Sequence, residues 1–319
     1  VWVLADDRAG NVAQALGVAE ALAWPYQRLD IAYTPLARLP NGLRGASLMG
    51  ISPTRRATLV PPWPDVLIAA GRRTAPVARW VRAQNHGKTF TVQIMHPGGS
   101  LEGLDLVAVP HHDGPLPSDP RLLRITGAPH RVTPLMLEQA RAQWAERLSP
   151  LPAPRIALLV GGATKDKPFT EAMARELGQK VEKLVRPAGG SVMLTTSRRT
   201  GAEPENALLS ALEGLPAVIH RWGAAGDNPY PGFLAWAEAV VVTGDSMSMC
   251  SEACGTGKPV YIFAPDGTVS AKHARLHAEL YALGCAQPLG DALTEWTPTP
   301  LNAAQVIARA VKERIGITS

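Results

Sequence analysis

Short apolar runs alternate with stretches of helical period along almost the whole chain. VWVLAD (1–6) is a continuous apolar run of the kind a buried strand shows. GNVAQALGVAEALA (10–23) then sets Val12, Ala15, Leu16, Ala19 and Leu22 on one helical stripe. Strand-like runs follow at YQRLDIAY (26–33), PDVLIAAG (64–71), KTFTVQIMHP (88–97) and LDLVAVPHH (104–112), with a helical TAPVARWVRAQ (74–84) among them. TPLMLEQARAQWAERL (133–148) predicts a helix, and SPLPAPR (149–155) a Pro-rich boundary. The pattern then restarts. IALLVGGATKDKPF (156–169), SVMLTTSRRT (191–200), AVIHRW (217–222), EAVVVTG (238–244) and KPVYIFAP (258–265) carry further strands. Strands alternating with helices imply right-handed crossovers and parallel sheets. The expected fold is α/β: two doubly wound Rossmann-like domains facing a cleft, residues 1–150 and 151–319.

Composition narrows the function classes. A chain of 319 residues exceeds the size at which one core usually keeps growing, which supports two domains. Its 29 glycines and 29 prolines lie scattered between apolar runs, as short connections require. Net charge is +5, yet aromatics are only 5% and no basic block alternates with them, so no nucleic acid partner is expected. Cys250, Cys254 and Cys285 form no CxxC and read as reduced thiols. With no apolar run near ~18 residues and no signal-peptide pattern, the expected location is cytoplasmic or peripheral to the inner membrane. LPNGLRGASLMGISPTRRATLVPPWP (39–64) is long for a connection. It reads either as an ordered excursion or as a segment touching a membrane surface or a lipid-linked acceptor.

Four strand-to-helix turns carry candidate chemistry. In ADDRAGN (5–11), Gly10 and Asn11 open a helix whose free N–H groups suit an anion, while Asp6 and Asp7 serve as cap or base. GGATKDKPF (161–169) offers Gly161, Gly162 and Thr164 as a diphosphate seat. It is neither GxGxxG nor GxxxxGK[ST], and no cofactor is expected. TTSRRTG (195–201) supplies Ser197, Arg198 and Arg199, a dense donor set for phosphate oxygens or else a solvated loop. TGDSMSMCSEACGTGKPVYIF (243–263) turns at Asp245 and Ser246 into a helix carrying Glu252. Ser248, Met249, Gly255 and Thr256 share the face of Glu252. That small, polar face suits a ribose, with a helix-capping or interdomain salt bridge as the alternative. His111, His112 and Asp113, and the pair His273 and His277, lack a full zinc ligand set.

TGDSMSMCSEACGTGKPVYIF, TTSRRT, DNPYPGFLAWAEAVVVTGDS and PPWPDVLIAAGRRTAPVARW resemble the elongated-mitochondria family of plant fission factors and its bacterial relatives. The resemblance runs from DDRAGNVAQALGVAEAL to AKHARLHAELYALGCA. More distantly, the second half is similar to GT-B glycosyltransferases such as the N-acetylglucosaminyl transferase of lipid II synthesis. Glu252, Gly257 and Pro259 match the nucleotide-binding pattern there. The resemblance implies a nucleotide sugar site in the second domain and an acceptor site in the first. DDRAGN departs from the transferases' Gly-rich loop ending in His, so Asp7 or His96 stands as the candidate base. A short-chain-dehydrogenase epimerase would need GxxGxxG and YxxxK, and neither occurs. Two readings follow: a glycosyltransferase acting on a cell-envelope or lipid-linked acceptor, and a non-catalytic, partner-binding scaffold of the fission-factor type.

Overall fold

The computed structural model describes residues 1–294 and 296–317. The first half of the chain runs β1 (Trp2–Ala5), α1 (Ala9–Leu22), β2 (Gln27–Asp30), α2 (Asn41–Arg44), α3 (Pro53–Arg56) and β3 (Val66–Ala70). It continues through α4 (Ala75–Gln84), β4 (Phe90–Ile94), β5 (Leu106–Pro110) and β6 (Leu122–Ile125). Then come α5 (Pro134–Gln143), α6 (Ala145–Leu148), β7 (Arg155–Leu159), α7 (Glu171–Val185), β8 (Ser191–Thr195), α8 (Ala202–Ala211) and β9 (Ala217–His220). The last elements are α9 (Tyr230–Trp236), β10 (Ala239–Thr243), α10 (Met247–Cys254), β11 (Val260–Phe263), α11 (Ala271–Ala282), β12 (Gln287–Pro288) and α12 (Ala303–Arg314).

The strands form two six-stranded sheets, ordered β2-β1-β3-β4-β5-β6 and β12-β11-β10-β7-β8-β9, parallel throughout. Central strands such as VLIAA and AVVVT are buried on both faces because helices cover both sides, which is why they read as unbroken apolar runs. Alternation still sorts their side chains. Val3 joins the core on one face of the first sheet, while Trp2 and Leu4 join the core on the other. Val240 and Val242 part from Val241 in the same way. Each such buried aliphatic contributes roughly 1.5–3 kcal/mol. The edges β2 and β9 are mostly exposed, and Gln27, Arg28 and Asp30 keep β2 polar.

The compact units are Val1–Arg131 with Asn302–Ser319, and Val132–Leu301. The chain thus divides before α5, not within the Pro-rich run at 149–155. The expected helix over 133–148 breaks at Trp144 into α5 and α6, and Trp144 and Leu148 pack in a second-unit core. α12 returns to the first unit, where Ala303, Ala304, Ile307, Ala308 and Val311 join the core built on α1. The long connection after β2 is ordered: Ile31, Ile51 and Leu59 join the core on the face of the first sheet that carries Trp2 and Leu4. Among the described residues no helix is long and apolar enough to cross a membrane.

Candidate functional site

In the second unit the chain leaves β7 toward β8 and β9, then returns to β10 on the other side of β7. The order reverses between β7 and β10. The loops leaving their carboxyl ends diverge there, and open α/β sheets bind ligands at such a point. Three of the four candidate turns, at Gly161, Ser197 and Asp245, meet at this edge.

They are tied together by hydrogen bonds. Gly161 N–H donates to Thr243 Oγ1 at 2.8 Å, joining the β7 loop to the β10 turn. Ser197 Oγ and Thr200 Oγ1 both donate to Gly161 O, the latter at 2.9 Å. Ser197 Oγ also accepts from Arg199 N–H at 3.1 Å, so this hydroxyl is already spent inside the loop. Ala163 N–H donates to Arg199 O at 2.9 Å, and Thr164 N–H to Lys167 O at 2.8 Å.

The glycine pair is explained by this closeness. A Cβ on Gly161 would overlap the Asp245 carboxylate, and one on Gly162 would overlap the Arg199 carbonyl. Gly162 also has φ +124°, a region side chains rarely adopt. Arg199 Nη1 lies 2.6 Å from Asp245 Oδ2, an ion pair not aligned as a hydrogen bond, and donates to Ala163 O at 3.0 Å. Arg198 is different. It is exposed and makes no ion pair among the described residues.

Ser246 caps α10 by accepting from Met249 N–H at 3.4 Å, and Ser248 is half-buried on the first turn. Glu252, farther along the helix, accepts a hydrogen bond from Tyr230 Oη. Burial raises the Glu252 pKa, and the Tyr230 bond opposes that shift. Burial, then the neighbouring carboxylate, raises the Tyr230 pKa. One carboxylate oxygen thus has an internal partner, and the other makes no hydrogen bond among the described residues. On the far side of the turn, His277 Nε2 lies 2.9 Å from Gly244 O. Burial lowers the His277 pKa to about 4, so the neutral ring donates there. A cavity of about 540 Å³ opens beside it, lined by Ala264, Gly267, Val269, His277 and Tyr281.

Asp7, Gly10, Asn11 and His96 belong to the first unit. Asp7 pairs with Arg73 and keeps 53% side-chain exposure. Asn11 Nδ2 donates to Asp6 Oδ2 at 2.8 Å, and Gly10 faces open space at the start of α1. His96 Nδ1 accepts from Gly98 N–H at 3.1 Å, which puts the proton of a neutral ring on Nε2. Sequence reasoning singled out neither Tyr230 nor Arg73, and weighed His277 only as half of an incomplete zinc pair. Each acts through a contact across many residues, and only Arg73 carried a local signal, as half of an Arg-Arg-Thr turn like that at 198–200.

The family model described as mitochondrial fission ELM1 matches residues 9–315. The chain belongs to the mitochondrial fission ELM1 family. Among its relatives, the mitochondrial fission protein ELM1 of Arabidopsis thaliana is 30% identical over 294 residues, spanning 85% of this chain and 68% of its own. Protein RP120 of Rickettsia prowazekii (strain Madrid E) is 28% identical over 346 residues, spanning 98% of this chain and 97% of its own. Among solved structures, the UDP-GlcNAc 2-epimerase of Methanocaldococcus jannaschii superposes with TM-score 0.58 at 12% identity, over 98% of this chain and 99% of that one. MurG of Acinetobacter baumannii gives 0.50 at 13%, over 98% and 99%. At such identities the likeness is one of fold: this family member has the α/β, Rossmann-like architecture of the GT-B proteins.

Proposed function

We propose that the second unit binds a nucleotide sugar and that the protein transfers its sugar to a cell-envelope or lipid-linked hydroxyl. The observation that carries this reading is Arg198, in the loop after β8 that is fastened to Gly161, exposed and without an ion-pair partner among the described residues. Its neighbour Arg199 is neutralised by Asp245, so Arg198 supplies the free charge for a diphosphate. The solved structures of this fold include a UDP-GlcNAc 2-epimerase, which supports a nucleotide sugar as ligand class. Glu252, with one oxygen unspent, accepts from the ribose hydroxyls.

In the transfer, the acceptor oxygen bonds to the anomeric carbon as the bond from that carbon to the diphosphate oxygen breaks. Arg198 stabilises the departing charge. The acceptor's proton passes to water as that bond forms; of the first-unit residues read as bases, His96 Nδ1 accepts from Gly98 N–H and Asp7 is paired with Arg73. The scaffold reading has its own support. Ser197 is spent within its loop and the Asp245 carboxylate lies against Gly161, so the Gly-Gly turn is occupied by internal packing. The family name also points toward organelle fission.

Calorimetric titration with UDP-GlcNAc, UDP and uridine tests the proposal. Arg198→Ala should weaken UDP binding about tenfold to a hundredfold and leave uridine unchanged. Glu252→Gln should weaken all three. Equal loss for UDP and uridine in Arg198→Ala would show that Arg198 acts through the fold. Binding without sugar release to any hydroxyl acceptor would favour the scaffold, and no binding by the unaltered chain would end the nucleotide reading.

A further inference from the structure

The first unit repeats the arrangement around Arg198 with different residues. Gly71, Arg72, Arg73 and Thr74 follow β3, as Ser197, Arg198, Arg199 and Thr200 follow β8. Arg72, like Arg198, is exposed and makes no ion pair among the described residues; its Nη1 donates only to Leu39 O, at 3.1 Å. Arg73, like Arg199, pairs with an aspartate from another strand's turn: Asp7 after the adjacent β1 here, Asp245 two strands away in the second unit. Thr74 Oγ1, like Thr200 Oγ1, donates to backbone carbonyls, at 3.0 and 2.8 Å. The strand order of the first sheet reverses between β1 and β3, so this turn too sits at a switch point.

A second observation points to a missing anion. Arg44 is only 2% exposed. Its guanidinium donates to Met49 O at 3.1 and 3.0 Å, to Arg73 O at 3.3 Å and to Asn41 Oδ1 at 3.4 Å, all uncharged acceptors. The titratable groups acting on it are Tyr33, a phenol that burial keeps neutral, and the cations Arg72 and Arg73, with no carboxylate among them. A buried cation without a counter-charge is costly to maintain. Tyr33 lies in the same place, its ring 4.2 Å below the Arg73 guanidinium and its hydroxyl buried without a hydrogen-bond partner. The nearest acids do not balance the charge. Asp6 accepts from Arg8 N–H and Asn11 and lies 3.7 Å from Arg73, and Asp7, half in solvent, also pairs with Arg73, so both carboxylates are shared with Arg73 rather than with Arg44. Beside the cluster a cavity of about 430 Å³ is lined by Asn41, Gly42, Gly45, Arg79, Gly98 and Ser100. Asn41 Nδ2 donates to Arg72 O at 2.7 Å, and Gly98 lies along the Arg72 side chain, so the cavity adjoins the arginines.

We propose that this edge of the first unit is an anion site for a phosphoryl group, held by Arg72, shared by Arg73 with Asp7, and backed by the buried charge of Arg44. The adjoining cavity takes the remainder of a phosphorylated ligand, a phosphomonoester or a diphosphate. The site stands independently of the nucleotide sugar reading, since none of its residues belongs to the second unit.

The test uses the full chain carrying Arg198→Ala, which removes the exposed guanidinium of the second unit. Inorganic pyrophosphate is titrated by calorimetry, and flotation is measured with phosphatidylcholine vesicles, plain or doped with phosphatidic acid. Adding Arg72→Gln, an exposed change that should leave the melting curve intact, should lower the affinity for the bound probe about tenfold or more. Arg72-dependent binding of pyrophosphate assigns a soluble phosphoryl ligand. Arg72-dependent binding of the doped vesicles alone assigns a lipid-borne one. Absence of binding to both probes, or binding that Arg72→Gln leaves unchanged, overturns the proposal. UDP-GlcNAc titration of the Arg72→Gln single variant keeps the two sites apart, because the nucleotide reading predicts no change there.

Discussion

At Gly71–Thr74 and at Ser197–Thr200, two Arg-Arg-Thr turns perform the same division of labour in different surroundings. In each, the first arginine stands free, the second is bound to an aspartate, and the threonine fastens the turn to the backbone. The difference lies in how tightly each is enclosed. The Asp245 side chain is 10% exposed, whereas that of Asp7 is 53% exposed. Gly162 abuts backbone, whereas Gly71 abuts the Asn11 side-chain amide. Even the latches differ: His277 Nε2 donates to Gly244 O in the second unit, and Gln93 Nε2 donates to Gly71 O at 3.0 Å in the first. The same local sequence therefore yields a rigid turn where backbone meets backbone and a yielding one where side chains meet it.

The largest expected effect comes from the glycines. Gly162→Ala should destabilise by about 4 kcal/mol, through both an unfavourable φ and a clash with the Arg199 carbonyl. Gly71→Ala should cost about half as much, because Asn11 is able to move aside. Urea unfolding of both variants measures this, and equal losses would break the comparison.

The latches give the next effect. His277 stays neutral in the folded chain down to about pH 4, while an unfolded histidine takes a proton below about 6.5. Between those values the unfolded state binds more protons, so stability falls as pH is lowered through that window. The loss approaches roughly 3 kcal/mol near its acid end. His277→Gln keeps a donor and removes the titration, and the difference between the two pH profiles should show a matching slope. Parallel profiles would mean that the ring does not act this way.

The ion pairs give the smallest effect. Arg199→Ala leaves Asp245 nearly buried without its partner and should cost about 2 kcal/mol. Arg73→Ala releases an aspartate that water can solvate, with a loss below about 1 kcal/mol. A reversal of that order in thermal unfolding would show that Arg73 is held by more than Asp7, with Asp6 at 3.7 Å and the Tyr33 ring as the remaining contacts.

Most of the fold is legible in the sequence because buried parallel strands leave unbroken apolar runs, as in IALLV and AVVVT. β6, with Arg124 inside LLRI, and the two-residue β12 lack that signature. The unit boundary is hidden for a related reason. Proline marks where a helix stops but not which core the helix joins, and α5 and α6 choose theirs through packing. At the site, residue type exposes Arg198 and Glu252 but not their state. Pairing of Arg199 with Asp245, and of Glu252 with Tyr230, arises between positions far apart in the chain. The Arg72–Arg73 doublet carries the same local signal as Arg198–Arg199. What distinguishes it is the buried Arg44 nearby, which has no sequence signature.

The return of α12 to the first unit has a consequence for synthesis on the ribosome. The second unit is complete once Leu301 has emerged, but the first still lacks Ile307, Ala308 and Val311 from its core. Until those residues leave the exit tunnel, the surface of α1 that α12 packs against has no cover. Domains usually close in the order they are made. Here the unit that is begun first is the last to close, and during that interval the apolar side chains that await α12 stay open to solvent.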